Sequence, residues 1–198
     1  MKVQEYLETH LPPHKAAAIL SYLSSNHCSL RITRPRKTKR GDFRQYRDIL
    51  SISVNHDENS YRFLFTLIHE IAHLKTYLEY KNKVKPHGTE WKNNFRELFI
   101  HFEMAEEYTR DEHLKTVVLN ELKNPKAASG VGLDLEKAFA VHDQSDLLHL
   151  EEISEGDRFI FRGVVYQKME SRRSRVMCLN MANNRKYTIS KAANVERC

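Results

Sequence analysis

Cysteine is scarce in this chain. There are three in 198 residues, Cys28, Cys178 and Cys198, and no two form a CxxC pair. An odd count without that spacing implies neither a disulfide framework nor a cysteine-type zinc site. The six glycines form no phosphate-cradling loop, and no internal repeat is present. No apolar run approaches the roughly 20 residues of a membrane helix. The opening Met1-Lys2-Val3-Gln4-Glu5 lacks the apolar core of a signal peptide, so the expectation is a cytoplasmic protein without a membrane partner. What remains, 40% hydrophobic and 29% charged residues, is a globular composition. The length suits one full core and a small second module.

The net charge of +6 is unevenly spread. Residues 31–47 carry eight Lys/Arg and one acid, and residues 158–198 carry ten Lys/Arg and two acids. Residues 48–157 carry twelve Lys/Arg against 21 acids. Two basic segments around an acidic middle suggest contact with a polyanion, although ordinary solvated charge gives the same count.

The most informative stretch is Phe63-Leu64-Phe65-Thr66-Leu67-Ile68-His69-Glu70-Ile71-Ala72-His73-Leu74. Leu64, Leu67, Ile68, Ile71 and Leu78 fall on one helical stripe, with His69 and His73 roughly opposite. Residues at i and i+4 share a helix face, so the two imidazoles can grip one metal ion. Zinc suits them because it is borderline-soft and accepts tetrahedral nitrogen ligation. Glu70, beside a ligand, can take a proton from a zinc-bound water.

A catalytic zinc needs a third protein ligand and an open position. Glu79 has the spacing of one known pattern, but Thr76 stands where a turning glycine would be needed, so Glu79 should continue the helix and point away. Glu90 and Glu97 would serve if a later helix supplied a carboxylate. His87 is the third candidate, in Lys85-Pro86-His87-Gly88-Thr89-Glu90-Trp91, where Pro86 and Gly88 mark a loop just before a helix.

The periodicities predict an α+β fold. Helices are expected after Pro12-Pro13, over 60–80, from Trp91 to Phe102, over 111–123 and, shorter, over 135–141. A short strand is expected at 30–32, a basic loop over 34–42 and a half-buried strand over 46–54. If that strand borders the cleft, an extended peptide could pair with it. From Gly156 the period shortens, and strands at 158–161, 164–168, 175–179 and 185–189 predict an antiparallel meander. The domain reading is therefore 1–123 for the first domain, 124–150 for a connector with a short helix and a flexible small-residue stretch at 127–132, and 151–198 for a small basic β module.

His-Glu-Ile-Ala-His, a short basic loop and then His-Gly-x-x-Trp together resemble the SprT-like zinc metallopeptidases, over roughly residues 10 to 122. The segments Asn124-Pro125-Lys126-Ala127-Ala128-Ser129 and Tyr187-Thr188-Ile189 are similar to bacterial members. The resemblance implies a zincin-like metallopeptidase domain holding one Zn2+ through His69, His73 and His87, with Glu70 as the catalytic glutamate. Some members carry a C-terminal zinc ribbon; Cys178 has no CxxC partner, so this chain departs from that pattern.

The expected function is a zinc-dependent endopeptidase acting on a protein substrate, with DNA-associated proteolysis implied by the resemblance. Arg34, Arg36, Lys37, Lys39 and Arg40 near the cleft are candidate nucleic-acid contacts. Arg172, Arg173 and Arg175 are candidates in the β module, with Lys168 near the same turn and Arg185 and Lys186 entering the next strand. Two other functions fit parts of the pattern: a non-catalytic nucleic-acid-binding protein with a structural zinc, and a zinc hydrolase of another amide.

Overall fold

Proline is tolerated in the first turn of a helix, where its missing N–H has no partner to lose. Pro13 accordingly opens α2 (Pro13–Ser25), which follows the short α1 (Val3–Glu8). In the computed structural model, described over residues 2–125, 132–143 and 148–198, the chain divides into two units, Met1–Phe139 and Ala140–Cys198. The fold is α+β, with a small antiparallel sheet following the helical part. Among the described residues no helix is long and apolar enough to cross a membrane. The small-residue stretch expected at 127–132 lies, up to residue 131, outside the described residues.

The first unit contains a three-stranded sheet of β1 (Cys28–Thr33), β2 (Gly41–Tyr46) and β3 (Ile49–Asn55), in the order β1-β3-β2. β1 runs parallel to β3 and β2 antiparallel to it. The sequence suggested one strand over 46–54; the structure shows a hairpin. Its two-residue turn is Arg47-Asp48, with Arg47 in the left-handed region at φ 53°. β2 escapes the sequence pattern because none of its side chains is fully buried. It is specified by pairing, Phe43 opposite Ile52 and Gly41 opposite Val54, and not by an apolar period of its own.

Behind this sheet lies α3 (Ser60–Tyr80), which matches the expected helix. Asn59 caps it by accepting the Arg62 N–H at 3.2 Å. The helix ends where Lys81 takes φ 55°. It packs against β2 and β3 on one side and α4 (Thr89–His101) on the other. Phe65 meets Phe95 at 5.2 Å and Phe139 at 5.8 Å between ring centroids.

Phe139 belongs to α6 (Leu133–Ala140), which follows α5 (Glu112–Lys123) in the chain. Leu135, Ala138 and Phe139 are buried in the first core, so the first unit continues past Lys123. The Phe139 carbonyl also accepts the Asn59 side-chain N–H at 2.6 Å. The residue that caps α3 is thus held by a segment 80 positions later in the chain.

The second unit is a six-stranded sheet. Its strands are β4 (Leu148–His149), β5 (Arg158–Phe161), β6 (Val164–Ser171), β7 (Arg175–Asn180), β8 (Lys186–Ser190) and β9 (Asn194–Arg197), in the order β4-β9-β5-β6-β7-β8. The expected four-stranded meander is present, and β9 closes onto β5. Arg162 and Gly163, both at positive φ, form the two-residue turn between β5 and β6. The core gathers Phe159, Val176, Cys178, Ile189 and Val195.

Candidate metal centre

His69 and His73 lie one turn apart on α3, and Pro86-His87-Gly88 brings a third imidazole onto them. The His69 and His73 Nε2 atoms are 3.3 Å apart. His87 Nε2 lies 2.9 Å from His73 Nε2 and 3.1 Å from His69 Nε2. Three nitrogens bound tetrahedrally at the usual Zn–N length of about 2.0–2.1 Å would stand roughly 3.3 Å apart. The three donors fit such an ion, in number, type and spacing. Among the described residues this is the group of His, Cys, Asp and Glu side chains placed to hold a metal.

The surroundings of the rings favour their neutral form. Burial, reinforced by His73 and His87, lowers the His69 pKa well below the ordinary imidazole value. Burial, then His87, brings His73 down to about 3, and burial lowers His87. Neutral imidazoles present the lone pair that a metal needs. Trp91 holds all three in place, with its ring centroid 4.6 Å from His69, 5.4 Å from His73 and 4.7 Å from His87. At 1% exposure, and stacked on Phe95 at 14°, Trp91 is at once core residue and support for His87. His87 itself takes φ 57°, a conformation that non-glycine residues adopt when the surroundings impose it.

The carboxylates weighed as third ligand lie elsewhere. Glu79 pairs with Lys75 and accepts from Asn94 at 2.8 Å. Glu97 faces Lys75 at 3.5 Å, and Glu90 is outside the cluster.

Glu70 is 4% exposed beside the three imidazoles. Burial, with the charge of Asp42, pushes its pKa up to about 8, opposed by a hydrogen bond from the Phe43 N–H and by the charges of Arg36 and Lys39. The strand geometry explains that bond. The Asn55 N–H donates to the Arg40 carbonyl at 2.7 Å, which makes this a hydrogen-bonded pair in the β2–β3 register. Such pairs alternate, so the N–H and C=O groups of Gly41, Phe43 and Gln45 point away from β3. Phe43 thus reaches Glu70, while β2 remains the sheet's edge on that side. Gly41 is where the approach is closest. A Cβ there would stand 2.6 Å from Glu70 Cγ and 2.7 Å from its Cδ, so only glycine leaves room for the carboxyl.

The site opens into a cavity of ≈ 660 Å³ walled by the basic loop, Gly41 to Phe43 and the three histidines with Glu70. Three of the loop's five candidate cations are occupied within the first unit. Arg36 donates to Asn55 Oδ1 at 2.7 Å and to Ser53 Oγ and O at 3.1 and 3.2 Å. Arg40 forms a two-pronged ion pair with Glu136 of α6, its Nη2 lying 2.8 Å from Oε2. Lys39 pairs with Asp42 at 2.9 Å. Arg34 and Lys37 are exposed and have no ion-pair partner among the described residues.

In the second unit, Arg172, Arg173 and Arg175 stand exposed together at the β6–β7 turn, where the Arg172 N–H donates to the Arg175 carbonyl at 2.7 Å. Lys168, expected beside them, is instead 5% exposed. Its ammonium donates to the carbonyls of Leu150, Glu151 and Ile153 at 3.1, 3.1 and 2.6 Å. It lies on the inward face of β6, where a charge must find internal acceptors. Gly41, Phe43 and Glu136 were missed in the sequence because β2 has no pattern and α6 reads as part of a connector.

Among known proteins, the model of the SprT-like family matches residues 16–118, a span that includes all three histidines and Glu70. No curated protein and no solved structure matches the chain.

Proposed function

Because this chain belongs to the SprT-like family, we propose that it is a zinc-dependent endopeptidase with Glu70 as general base. The observation that carries this reading is the convergence of three neutral Nε2 atoms, 2.9 to 3.3 Å apart, next to a buried carboxyl in an open cavity. His69, His73 and His87 would hold the ion. Zinc bound there supplies a Lewis acid for the scissile carbonyl and lowers the pKa of water.

The chain's own groups do the rest. Glu70 takes the proton of the attacking water and passes it to the departing amine nitrogen. The Phe43 N–H fixes the direction of the carboxyl, and Gly41 gives it space. As those of an edge strand, the outward backbone groups of β2, beyond the N–H given to Glu70, can pair with an extended peptide as the next strand. A polymer laid along an edge strand suits the large cavity better than a small amide does. The exposed Arg34 and Lys37 of the basic loop and Arg172, Arg173 and Arg175 in the second unit suit phosphate, which makes a protein associated with DNA the substrate we propose.

The test is to incubate the protein with a DNA-binding protein, with and without single-stranded DNA, beside Glu70→Gln. Wild type should cut, faster with DNA, and Glu70→Gln should lose about 10²–10⁴-fold while keeping its zinc. Elemental analysis should find one zinc per chain, lost in His87→Ala and retained in Glu79→Ala, Glu90→Ala and Glu97→Ala. Zinc retained without cleavage would leave a structural metal in its place.

A further inference from the structure

A second cavity, of ≈ 250 Å³, adjoins the metal centre. It shares Phe43, His73 and His87 with the larger one, and Glu70 lines only the larger. Its other walls are Thr76 and Tyr77 on α3, Asn82, Val84 and Pro86 on the loop that carries His87, and Trp91 on α4. Phe43 and Tyr77 stand 5.8 Å apart between ring centroids. Lys85 and Lys81 also line it, the latter with its ammonium 4.9 Å over the Tyr77 ring.

We propose that this cavity is a side-chain subsite, which takes a branched aliphatic or aromatic side chain of the peptide next to the bond being cut. The inference rests on the endopeptidase reading and adds to it a class of cleavage site. Three observations carry it. Phe43, Tyr77, Val84, Pro86 and Trp91 give the cavity an apolar surface, so a side chain laid against it leaves water for hydrocarbon. The volume suffices, since a cavity of about 150 Å³ accepts a benzene ring. The position is fixed by the shared residues: a peptide lying along β2 with its carbonyl at the three histidines presents a neighbouring side chain to this opening. The two lysines repel a cationic side chain and leave a neutral one unopposed.

Trp91 is the one tryptophan of the chain and lines this cavity, so its emission reports occupancy without turnover. Zinc-loaded Glu70→Gln should be titrated with acetyl-Phe-amide, acetyl-Leu-amide, acetyl-Gly-amide and acetyl-Lys-amide. The first two should give saturable changes, bound at least about tenfold more tightly than the others, as burial of one such side chain requires. Val84→Phe narrows the cavity and should reverse the order between Phe and Gly. Val84→Ala widens it and should favour Phe over Leu, which keeps the test alive if the larger residue disturbs the loop. Sequencing of wild-type cleavage products should show Leu, Ile, Met or Phe enriched at one fixed position beside the cut. Equal response to all four amides would overturn the subsite, as would cleavage with no apolar preference at any adjacent position. Selective binding without any wild-type cleavage would keep the subsite and remove the endopeptidase reading.

Discussion

Two arginine-rich segments that look alike in sequence turn out to be different objects. In the first unit, residues 36–40 wall the cavity, and Arg36, Lys39 and Arg40 are tied to Asn55, Ser53, Asp42 and Glu136. In the second, Arg172, Arg173 and Arg175 stand exposed at a hairpin turn. A charge that is tied down by internal acceptors shapes the protein; one that faces water is available to a partner. Counting cations cannot separate the two, because the difference lies in what each guanidinium meets across the fold.

The comparison breaks most visibly at Gly41, where the first segment ends. Gly41→Ala should lower kcat/KM by about 10²-fold, the effect of moving a catalytic group by roughly an ångström. Zinc content should be unchanged, because none of the three histidines is touched. Full activity in that variant would mean that Glu70 has room the structure does not show.

Arg36 tests the same wall through stability. Arg36→Ala removes the charged donor to Asn55 and Ser53 and should cost about 2 kcal/mol, within the range for hydrogen bonds to a charged group. Urea unfolding followed by Trp91 emission reads this in the first unit. Arg172→Ala, Arg173→Ala and Arg175→Ala combined should stay within about 0.5 kcal/mol, as exposed substitutions do. An equal loss in both variants would erase the distinction.

The exposed turn should reveal itself through salt. If its three arginines contact phosphate, the triple variant should flatten the slope of log affinity against log salt by about two units or more on single-stranded DNA, at roughly 0.7 per contact. Arg36→Ala should leave that slope in place. Titrations at several salt concentrations decide it.

The smallest effect concerns the thiols. Cys28 in the first unit and Cys178 in the second are buried, and burial pushes both up to about 11, whereas Cys198 is exposed. Alkylation of the native protein near pH 8 should label Cys198 alone. The other two should stay slow until the pH approaches 11, because the thiolate is the reactive form. Early labelling of either would show that its unit opens readily.

Much of α3 was legible because its signals are local. Two histidines at i and i+4 and the apolar stripe of Leu64, Leu67, Ile68 and Ile71 can be read from neighbouring residues. His87 was one candidate among four until the loop geometry placed its ring within 2.9 Å of His73. β2 was illegible because its faces are half-exposed and polar, so no period of two stands out. Lys168 was misread for the opposite reason: its position on β6 is an inward one, and a lysine gives no sign of that in the linear sequence.

By itself, then, the sequence determined the helix that carries His69, Glu70 and His73, the family pattern that includes His87 and the periodicity of the second unit's strands. These rest on spacing along the chain, which fixes the direction of a side chain once the local backbone is known. Only the tertiary structure decided which cations are spent internally, that Gly41 and Phe43 border Glu70, and that α6 secures both Asn59 and Arg40. Those facts depend on contacts between residues as far apart as 96 positions, Arg40 and Glu136. Such a contact leaves no trace in local spacing, because the chain must fold before the two side chains share a neighbourhood.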